Sequence, residues 1–360
     1  DPGFKEAGSS FIDMYNYVRE HPVSTILPRG SASDIDKLSP SEKYDLLVGD
    51  RNLTLTRRMW DQGKYYYDST GSVETWMGIC HGWAPAAYIL NRPKSVVPVP
   101  VQIDGRTHTL RFYPSDIKGL ASLLWANASV TSKFIGGRCN DKNPPVDEVG
   151  RSTSQKCFDT NPGTWFLSVV NQIAVSGRSF IMDATYDYEV WNQPIYAYRF
   201  KYFNPQLFKL ADTFEEATVR RSDFSNDVFV RYRSPQSSYC LGVIMEVSYV
   251  VETDPSHDET DGPEKDGLKN VVYAFDLELD TVKDVIGGEW YLNKHPDFLW
   301  TPGPNARAES RADNLVRGTW DADGPLPFGW QEAAQAASKY SQPMARILEA
   351  LIKRSRGESD

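Results

Sequence analysis

The stretch "YCLGVIMEVSYVVETDPSHDETDGPEKDGLKNVVYAFDLEL", Tyr239 to Leu279, contains two long β-rich runs on either side of an acidic loop. The runs are "YCLGVIMEVSYVVE" and "NVVYAFDLEL", and β-branched and aromatic residues dominate both of them. Such residues favour strands over helices. We therefore expect antiparallel strands in the part of the chain that follows its first third.

Helical patterns lie on both sides of this β-rich region. Residues 10–20 and 40–60 have helical character, and "SPSEKYDLL" (Ser39–Leu47) has a serine before a glutamate-containing first turn, which is a capping pattern. The segment "WQEAAQAASKYSQPMARILEALIKR" (Trp330–Arg354) predicts a helix that is interrupted by Pro343. The sequence therefore predicts an α+β protein with a helical N-terminal part, an antiparallel sheet and a C-terminal helix.

Three further segments predict individual elements. "VVPVPVQIDGRTHTLRFYP" (Val96–Pro114) predicts a hairpin that turns at Asp104-Gly105, and "SDIKGLASLLWAN" (Ser115–Asn127) predicts an amphipathic helix. "TWFLSVVNQIAVSGRSFIMDATYDYEVW" (Thr164–Trp191) is interpreted as a strand, a Ser-Gly turn and a second strand that ends at Asp183.

Composition narrows the range of functions. The 360 residues have a folded protein's apolar content and a net charge of −9, without a basic tract. This charge argues against nucleic acid and anionic membrane surfaces as partners. No apolar run approaches the length of a membrane span. The first residue is Asp1, without Met or a signal peptide, so the chain is expected to be processed or trimmed.

Four cysteines and two sequons suggest a secreted protein. Cys139 and Cys157 flank a polar loop, and we favour a disulfide between them, worth on the order of 3 kcal/mol by loop-entropy reasoning. Cys80 and Cys240 are then either thiols or a second pair. N-glycans would be accepted at two sequons in a secreted eukaryotic protein, those of Asn52 and Asn127.

The setting of Cys80 suggests more than a small buried hydrophobe, which is what most unpaired cysteines are. Gly78 and Gly82 flank it and would allow a ligand to approach the backbone closely. Pro85 fits only the first turn of a helix, so we expect a helix to start between His81 and Trp83. Cys80 would then precede a helix N-terminus, where the dipole favours the thiolate.

Five segments together resemble the transglutaminase elicitor family, which comprises secreted transglutaminases of plant-pathogenic oomycetes, with bacterial relatives. The resemblance runs from about Trp60 to Pro302. The segments are "WMGICHGWAP", "FYPSDIKGLASLLWA", "NPGTWFLSVVNQI", "DATYDYEVWNQP" and "GGEWYLNKHPDFLW".

The resemblance implies a fold and a set of catalytic residues. It implies a papain-like transglutaminase core at 61–305, between a helical N-terminal arm at 1–60 and a C-terminal extension with a helix at 306–360. Cys80 matches the nucleophile position of the family. Asp183 matches the acid that would orient an imidazole.

The position of the catalytic base departs from the family pattern. Relatives have "GxFHxxxxNQIG" where this chain has "GTWFLSVVNQIA", so Phe166 stands where a histidine is expected. Either the chain is a catalytically weakened member, or the base comes from elsewhere, with His295 and His108 as candidates. The neighbouring His81 is an unlikely base, because adjacent helix residues do not face each other.

The implied mechanism is a two-step acyl transfer. The Cys80 thiolate attacks a protein glutamine, ammonia leaves, and a lysine amine then takes the acyl group. The N–H groups around Ile79 would stabilise the oxyanion, and Trp76 and Trp83 would either line an acyl tunnel that excludes water or simply pack in the core. The resemblance implies calcium dependence without a site. The acidic loop 252–266 could bind Ca²⁺, but a solvated, mobile loop is the favoured interpretation.

The segment "VWNQPIYAYRFKY", Val190 to Tyr202, resembles the surface peptide that plants recognise as a sign of infection. One interpretation is a turn with packing residues, and the other is an exposed epitope that binds a plant receptor. The epitope residues are Val190, Trp191, Asn192, Gln193 and Pro194.

Three functions remain in competition. The leading hypothesis is a secreted or cell-wall transglutaminase that crosslinks glutamine and lysine residues of proteins, with cell-wall proteins as the expected substrates. The second is a catalytically impaired surface protein that acts as an elicitor. The third is a papain-like cysteine protease, which uses the same thiol chemistry with water as the acceptor.

Overall fold

The computed structural model describes residues 10–27, 31–36, 38–185, 187–292 and 295–358. The α-helices of these residues, in chain order, are α1 Phe11–Glu20, α2 Val23–Ile26, α3 Ala32–Asp36, α4 Pro40–Leu47, α5 Thr54–Thr70, α6 Cys80–Ile89, α7 Pro114–Asn127, α8 Pro162–Val169, α9 Phe214–Ala217, α10 Phe328–Ser338 and α11 Ala345–Ser355. The strands are β1 Val97–Ile103, β2 Arg106–Phe112, β3 Ser132–Gly136, β4 Ile181–Asp183, β5 Asn192–Asn204, β6 Lys209–Ala211, β7 Thr218–Arg220, β8 Tyr239–Val251, β9 Gly267–Leu279, β10 Val285–Trp290 and β11 Phe298–Pro302.

The chain divides into two compact units. Unit 1 contains the described residues up to Thr131 together with Thr253–Lys265 and those from Pro304 onward. Unit 2 contains Ser132–Glu252 and Asp266–Gly303.

Unit 1 is mainly helical and is built from both ends of the chain. Its core joins side chains of the N-terminal helices, the β1–β2 hairpin, α7, and the C-terminal helices α10 and α11. Fully or almost fully buried members are Tyr44, Leu55, Val99, Leu110, Leu120, Ile347 and Leu351. The predicted boundaries 1–60, 61–305 and 306–360 do not follow this division, because α11 packs in the same core as α4 and α7.

Unit 2 is organised around an antiparallel sheet with the strand order β10-β9-β8-β5-β4-β11-β3, to which β6 and β7 add at β5 and β8. The long β8 and β9, which the opening stretch of sequence predicts, pair along their whole length from Tyr239–Leu279 to Val251–Gly267. Helix α8 packs on β9 and β10. The core includes Trp165, Val243, Met245 and Phe275.

Most predicted elements are confirmed, and with them the α+β class. The hairpin turns at Asp104 and Gly105, both with positive φ, as a two-residue turn with the twist of the strands requires. Ser39 and Glu42 form the expected capping box of α4. The C-terminal helix is interrupted at Pro343, which separates α10 from α11.

The strand predicted from Thr164 is wrong. Residues 162–169 form α8, and a π-helical turn continues it to Val175. Asn161 caps the helix by accepting a hydrogen bond from the Gly163 N–H, and Pro162 takes the first helical position. Trp165 and Val169 lie four residues apart and are both buried, so the apolar period is that of a helix.

Candidate active site

Cys80 is the first residue of α6. The carbonyl of Ile79, the N-cap, accepts hydrogen bonds from the N–H groups of Gly82 (2.8 Å) and Trp83 (2.9 Å). The helix therefore starts before the predicted range, and Pro85 is its sixth residue instead of a member of its first turn. Cys80 is partly exposed and is not disulfide-bonded, so a helix dipole acts on a thiol.

Gly82 serves helix packing rather than ligand approach, which corrects the interpretation of this glycine. A Cβ at Gly82 would lie 2.2 Å from the Ser122 carbonyl oxygen and 2.5 Å from the Ala126 nitrogen, both on α7. A Cβ at Gly78 would meet nothing within 4 Å. His81 hydrogen-bonds with the backbone of Ala126, which ties its ring to α7.

The two tryptophans near Cys80 are both partly buried. The indole N–H of Trp76 donates a 2.6 Å hydrogen bond to the Glu74 carboxylate. Ile79 packs against the core of unit 1. A tunnel formed by Trp76 and Trp83 stays a prediction.

Asp183 ends β4, as predicted, and its side chain is completely buried. Its Oδ1 accepts hydrogen bonds from the Trp191 N–H (2.9 Å) and the Thr185 hydroxyl (3.0 Å). Its Oδ2 accepts none from the described residues. Burial raises the pKa of Asp183 to about 6, because desolvation disfavours the ionised form.

Three of the five residues of the predicted epitope are buried, which fits the packing interpretation, and recognition by a plant receptor stays a prediction. Asn192, Gln193 and Pro194 are buried at the start of β5, and only Val190 and Trp191 are partly exposed. Asn192 pairs with Asp183 across the strands and accepts a 2.7 Å hydrogen bond from the indole of Trp300. The motif therefore helps to build the surroundings of Asp183.

His295 lies before β11, and its side chain is 9% exposed. Its ring stacks on Trp290, with ring centroids 5.0 Å apart and an interplanar angle of 10°. Its Nε2 lies 3.5 Å from Oδ2 of Asp159, and its Nδ1 has no hydrogen-bond partner among the described residues. Burial lowers the pKa of His295 to about 4, so the imidazole is neutral at neutral pH.

Two further acids accompany His295, and the sequence did not indicate either of them. Asp297 is 1% exposed and lies beside Asp159. Burial raises the pKa of Asp297, and the neighbouring charges of Asp159 and Asp183 raise it further. Their positions in the sequence could have indicated them: Asp159 lies two residues before the N-cap of α8, and Asp297 lies immediately before β11.

These groups share one edge of the unit 2 sheet. Strand β4 ends at Asp183, while the antiparallel neighbours β5 and β11 begin near Asn192 and Phe298. Antiparallel neighbours place the end of one strand beside the starts of the others. The structure thus brings Asp183, Asp297 and His295 to one edge.

The other base positions lie elsewhere. Phe166 is on α8, where its ring packs against Phe200 (5.4 Å) and Phe275 (6.5 Å). His108 is on β2, opposite Val101 of β1. Cys80 and His108 belong to unit 1, whereas Asp183, Phe166 and His295 belong to unit 2.

Comparison with known proteins identifies the family. The sequence model of the transglutaminase elicitor family matches residues 62–314. The chain belongs to the transglutaminase elicitor family. The crystal structure of the GP42 transglutaminase from Phytophthora sojae is similar at 22% identity and a TM-score of 0.47, covering 79% of this chain and 65% of that chain. No curated protein matches the chain significantly.

The cysteines of this family member are distributed as expected. Cys139 and Cys157 form a disulfide. Cys240 is a buried thiol on β8, and burial raises the pKa of Cys240 to about 12, so it stays protonated. Only Cys80 combines a thiol with partial exposure.

The two sequons differ in their hydrogen bonding. Asn52 is exposed in the turn before α5. Asn127 ends α7, and its amide nitrogen, the atom that would carry a glycan, donates a 2.9 Å hydrogen bond to the Leu123 carbonyl. Glycosylation at either residue stays a prediction.

The acidic loop is exposed over residues 252–260, as a solvated loop is, and some of its carboxylates form ion pairs. Asp261 pairs with Arg92 (2.9 Å) and Lys118 (2.7 Å), and Glu259 pairs with Arg111 (3.3 Å). Its backbone also bonds to the chain before β1, through the Val96 N–H and the Glu259 carbonyl. Asp261 and Glu259 are therefore paired with cations of the protein.

No calcium site is assigned among the described residues. No group of three or more His, Cys, Asp or Glu among them could hold a metal ion. Calcium dependence thus stays a prediction of the resemblance, and no step of the chemistry below is derived through it. In the part of the chain that the structure describes, no helix is both long and apolar enough to cross a membrane.

Proposed function

We propose that this family member is a transglutaminase that forms glutamine–lysine isopeptide crosslinks between proteins through a thioester on Cys80. The observation that carries the proposal is a partly exposed thiol at the first position of α6, within the part of the chain that matches the family. The start of a helix is one of the positions at which reactive cysteines occur.

The chemistry balances with one thiol and one base. The Cys80 sulfur attacks the γ-carboxamide carbon of a glutamine, the S–C bond forms, and the C–N bond breaks as ammonia leaves with the proton from the thiol. A lysine ε-amine then attacks the thioester, and its proton returns to the sulfur. Backbone N–H groups at the start of α6, around Ile79 and Cys80, would suit the developing oxyanion, because the N–H groups of a helix N-terminus favour negative charge.

Of the three positions considered for the base, His295 has the most suitable surroundings. One ring nitrogen lies near a carboxylate, as in the oriented imidazoles of cysteine and serine enzymes, and the other is buried without a partner among the described residues. Phe166 cannot accept a proton. His108 has no carboxylate partner among its described contacts.

We further propose that the protein acts outside the cell or in the cell wall, on cell-wall proteins, and that a plant receptor recognises Val190–Tyr202. The family membership and the disulfide support this location. The alternative of a catalytically impaired elicitor is supported by Phe166, which takes the histidine position of relatives.

The test is incorporation of a lysine analogue into a glutamine-containing protein. Cys80→Ser should abolish incorporation, and iodoacetamide should modify Cys80 in the folded wild type. Cys240→Ala is the matched control, because that thiol is buried, and it should retain activity. Unchanged incorporation in Cys80→Ser would reject the proposal.

The same assay separates the competing functions. An impaired member would show no incorporation in the wild type although Cys80 is alkylated. A protease would cleave a protein substrate in a Cys80-dependent way without incorporating the amine.

A further inference from the structure

The carboxylate nearest to His295 is not the acid that the resemblance assigns. Oδ2 of Asp159 lies 3.5 Å from Nε2 of His295. Asp183 makes its described hydrogen bonds to Trp191 and Thr185. Asp183 lies close enough to Asp297 for its charge to raise the pKa of that carboxyl.

The neighbouring carboxyl groups of Asp159 and Asp297 differ in burial and in protonation. Neither oxygen of Asp297 accepts a hydrogen bond at normal distance from a described residue, although this side chain is almost completely buried. A protonated Asp297 can lie beside Asp159 and donate to it, whereas two ionised carboxylates would repel each other. Asp159 is a quarter exposed, and burial raises its pKa to about 6, although a hydrogen bond from Asp297 and the charge of Arg151 oppose that rise. The proton of the pair therefore belongs on Asp297 and the negative charge on Asp159.

The ring of His295 is fixed in a plane by contacts on the same segment. Trp290 stacks on it, and the indole N–H of Trp290 donates a 2.9 Å hydrogen bond to the carbonyl of Thr160, the residue after Asp159. The hydroxyl of Thr160 in turn donates to the Asp297 carbonyl at 3.1 Å. These contacts connect the stacking partner of the imidazole and the backbone of Asp297 to the segment that carries Asp159.

We propose that Asp159 is a positioning residue that holds His295 as the Nε2–H tautomer and leaves Nδ1 as the proton acceptor. An ionised carboxylate beside Nε2 favours a proton on that nitrogen, and Nδ1 has no described partner to compete for its lone pair. The long Nε2–Oδ2 contact shortens when the imidazole becomes cationic, as contacts of resting catalytic groups do. The catalytic part of this inference rests on the proposed transglutaminase function.

The experiment measures the tautomer and the activity separately. The full chain is labelled with ¹⁵N-histidine, the His295 signals are assigned with His295→Gln, and both ring nitrogens are followed from pH 4 to 8. The groups that face the ring or act on its surroundings are Asp159, Asp297, Asp183 and Arg151. The wild type should show the Nε2–H tautomer and stay neutral to about pH 4.

Asp159→Asn should shift the tautomer ratio and lower kcat roughly 10²-fold or more with little change in KM, because the wrong tautomer has no acceptor in place. Asp159→Glu should restore part of both signals. Asp212→Asn, an exposed carboxyl of the same unit, should change neither.

Each result decides a different claim. An Nδ1–H tautomer in the wild type, or unchanged ring signals in Asp159→Asn, overturns the positioning role whatever the activity. Changed ring signals with full incorporation by Asp159→Asn overturn its connection to catalysis. A wild type that incorporates no amine rejects the proposed function alone, since the ring signals still decide the contact between Asp159 and His295.

Discussion

At the scale of single residues, unit 2 retains carboxyl groups where burial disfavours their charge. Asp183 is the clearest case, since it is completely buried and only one of its oxygens has hydrogen-bond donors among the described residues. An ordinary structural position would be expected to hold an amide or an apolar side chain. Carboxyl groups whose pKa is shifted by burial are more common at functional sites than elsewhere in a protein.

The replacement Asp183→Asn should stabilise the protein at high pH. The pKa of Asp183 is about 6 in the folded chain against an ordinary 3.8. The folded state therefore binds a proton more readily, and this contribution to stability is complete below 3.8 and is lost as the pH rises through 6. An asparagine avoids that loss but places an amide N–H where no described acceptor lies, so the net gain at pH 8 should be roughly 1–3 kcal/mol.

Urea unfolding at pH 4 and pH 8 measures this difference, with Asp212→Asn as an exposed control. The gain should nearly disappear at pH 4, while amine incorporation should fall at every pH. Equal unfolding free energies of Asp183→Asn and wild type at pH 8 would contradict the assigned burial cost.

At the scale of elements, the α6–α7 contact sets the position of the Cys80 helix. Gly82→Ala should destabilise unit 1 by about 1–3 kcal/mol, because a Cβ would overlap the Ser122 carbonyl and the Ala126 nitrogen and α6 must shift. Gly78→Ala is the matched control, since its Cβ meets nothing within 4 Å. Thermal unfolding and amine incorporation should both change in the first variant only, and equal effects of the two would refute this account.

Strand β5 buries three residues of the segment that we propose as a plant-receptor epitope. Asn192, Gln193 and Pro194 are buried, so a receptor that reads them requires β5 to leave the sheet. A synthetic peptide of Val190–Tyr202 should therefore trigger plant-cell responses at concentrations at least about tenfold below those of the folded chain. A Trp191→Ala peptide controls for specificity, and equal potency of folded protein and peptide would show that release is unnecessary.

At the scale of the whole molecule, the core of unit 1 needs residues beyond the family match, which ends at residue 314. Trp320, Trp330 and Ile347 are buried in that core, and Asp313 accepts hydrogen bonds from the N–H groups of Ala345 (3.1 Å) and Arg346 (3.0 Å) at the start of α11. The C-terminal helices are therefore a structural part of unit 1 rather than an appendage.

A chain that stops after Asn314 should not fold unit 1. Each lost large apolar side chain removes about 1.5–3 kcal/mol, and several of them exceed the usual stability of a domain. Circular dichroism should show lost helix and no cooperative transition of unit 1. A chain that stops after Gly357 keeps α11 and should melt like the full chain, and identical melting of the shorter truncation would refute the prediction.

The sequence by itself determined the elements whose signals are local. Asp104-Gly105 specified a hairpin turn, Ser39 and Glu42 specified a helix start, and the runs at β8 and β9 specified long strands. Each of these depends on neighbouring residues alone. The bridge between Cys139 and Cys157 and the motif around Cys80 were also readable, since both follow from spacing and composition.

Only the tertiary structure decided the remaining features, because they depend on contacts between distant residues. The segment from Thr164 has strand-like composition, yet its capping residues and its packing on β9 and β10 make it α8. Pairing of β5 with β4 buries Asn192, Gln193 and Pro194, for which the sequence had left packing and exposure open. The assembly of Asp159, His295 and Asp297 arises because chain segments more than a hundred residues apart meet at one sheet edge, where burial changes the pKa of each group.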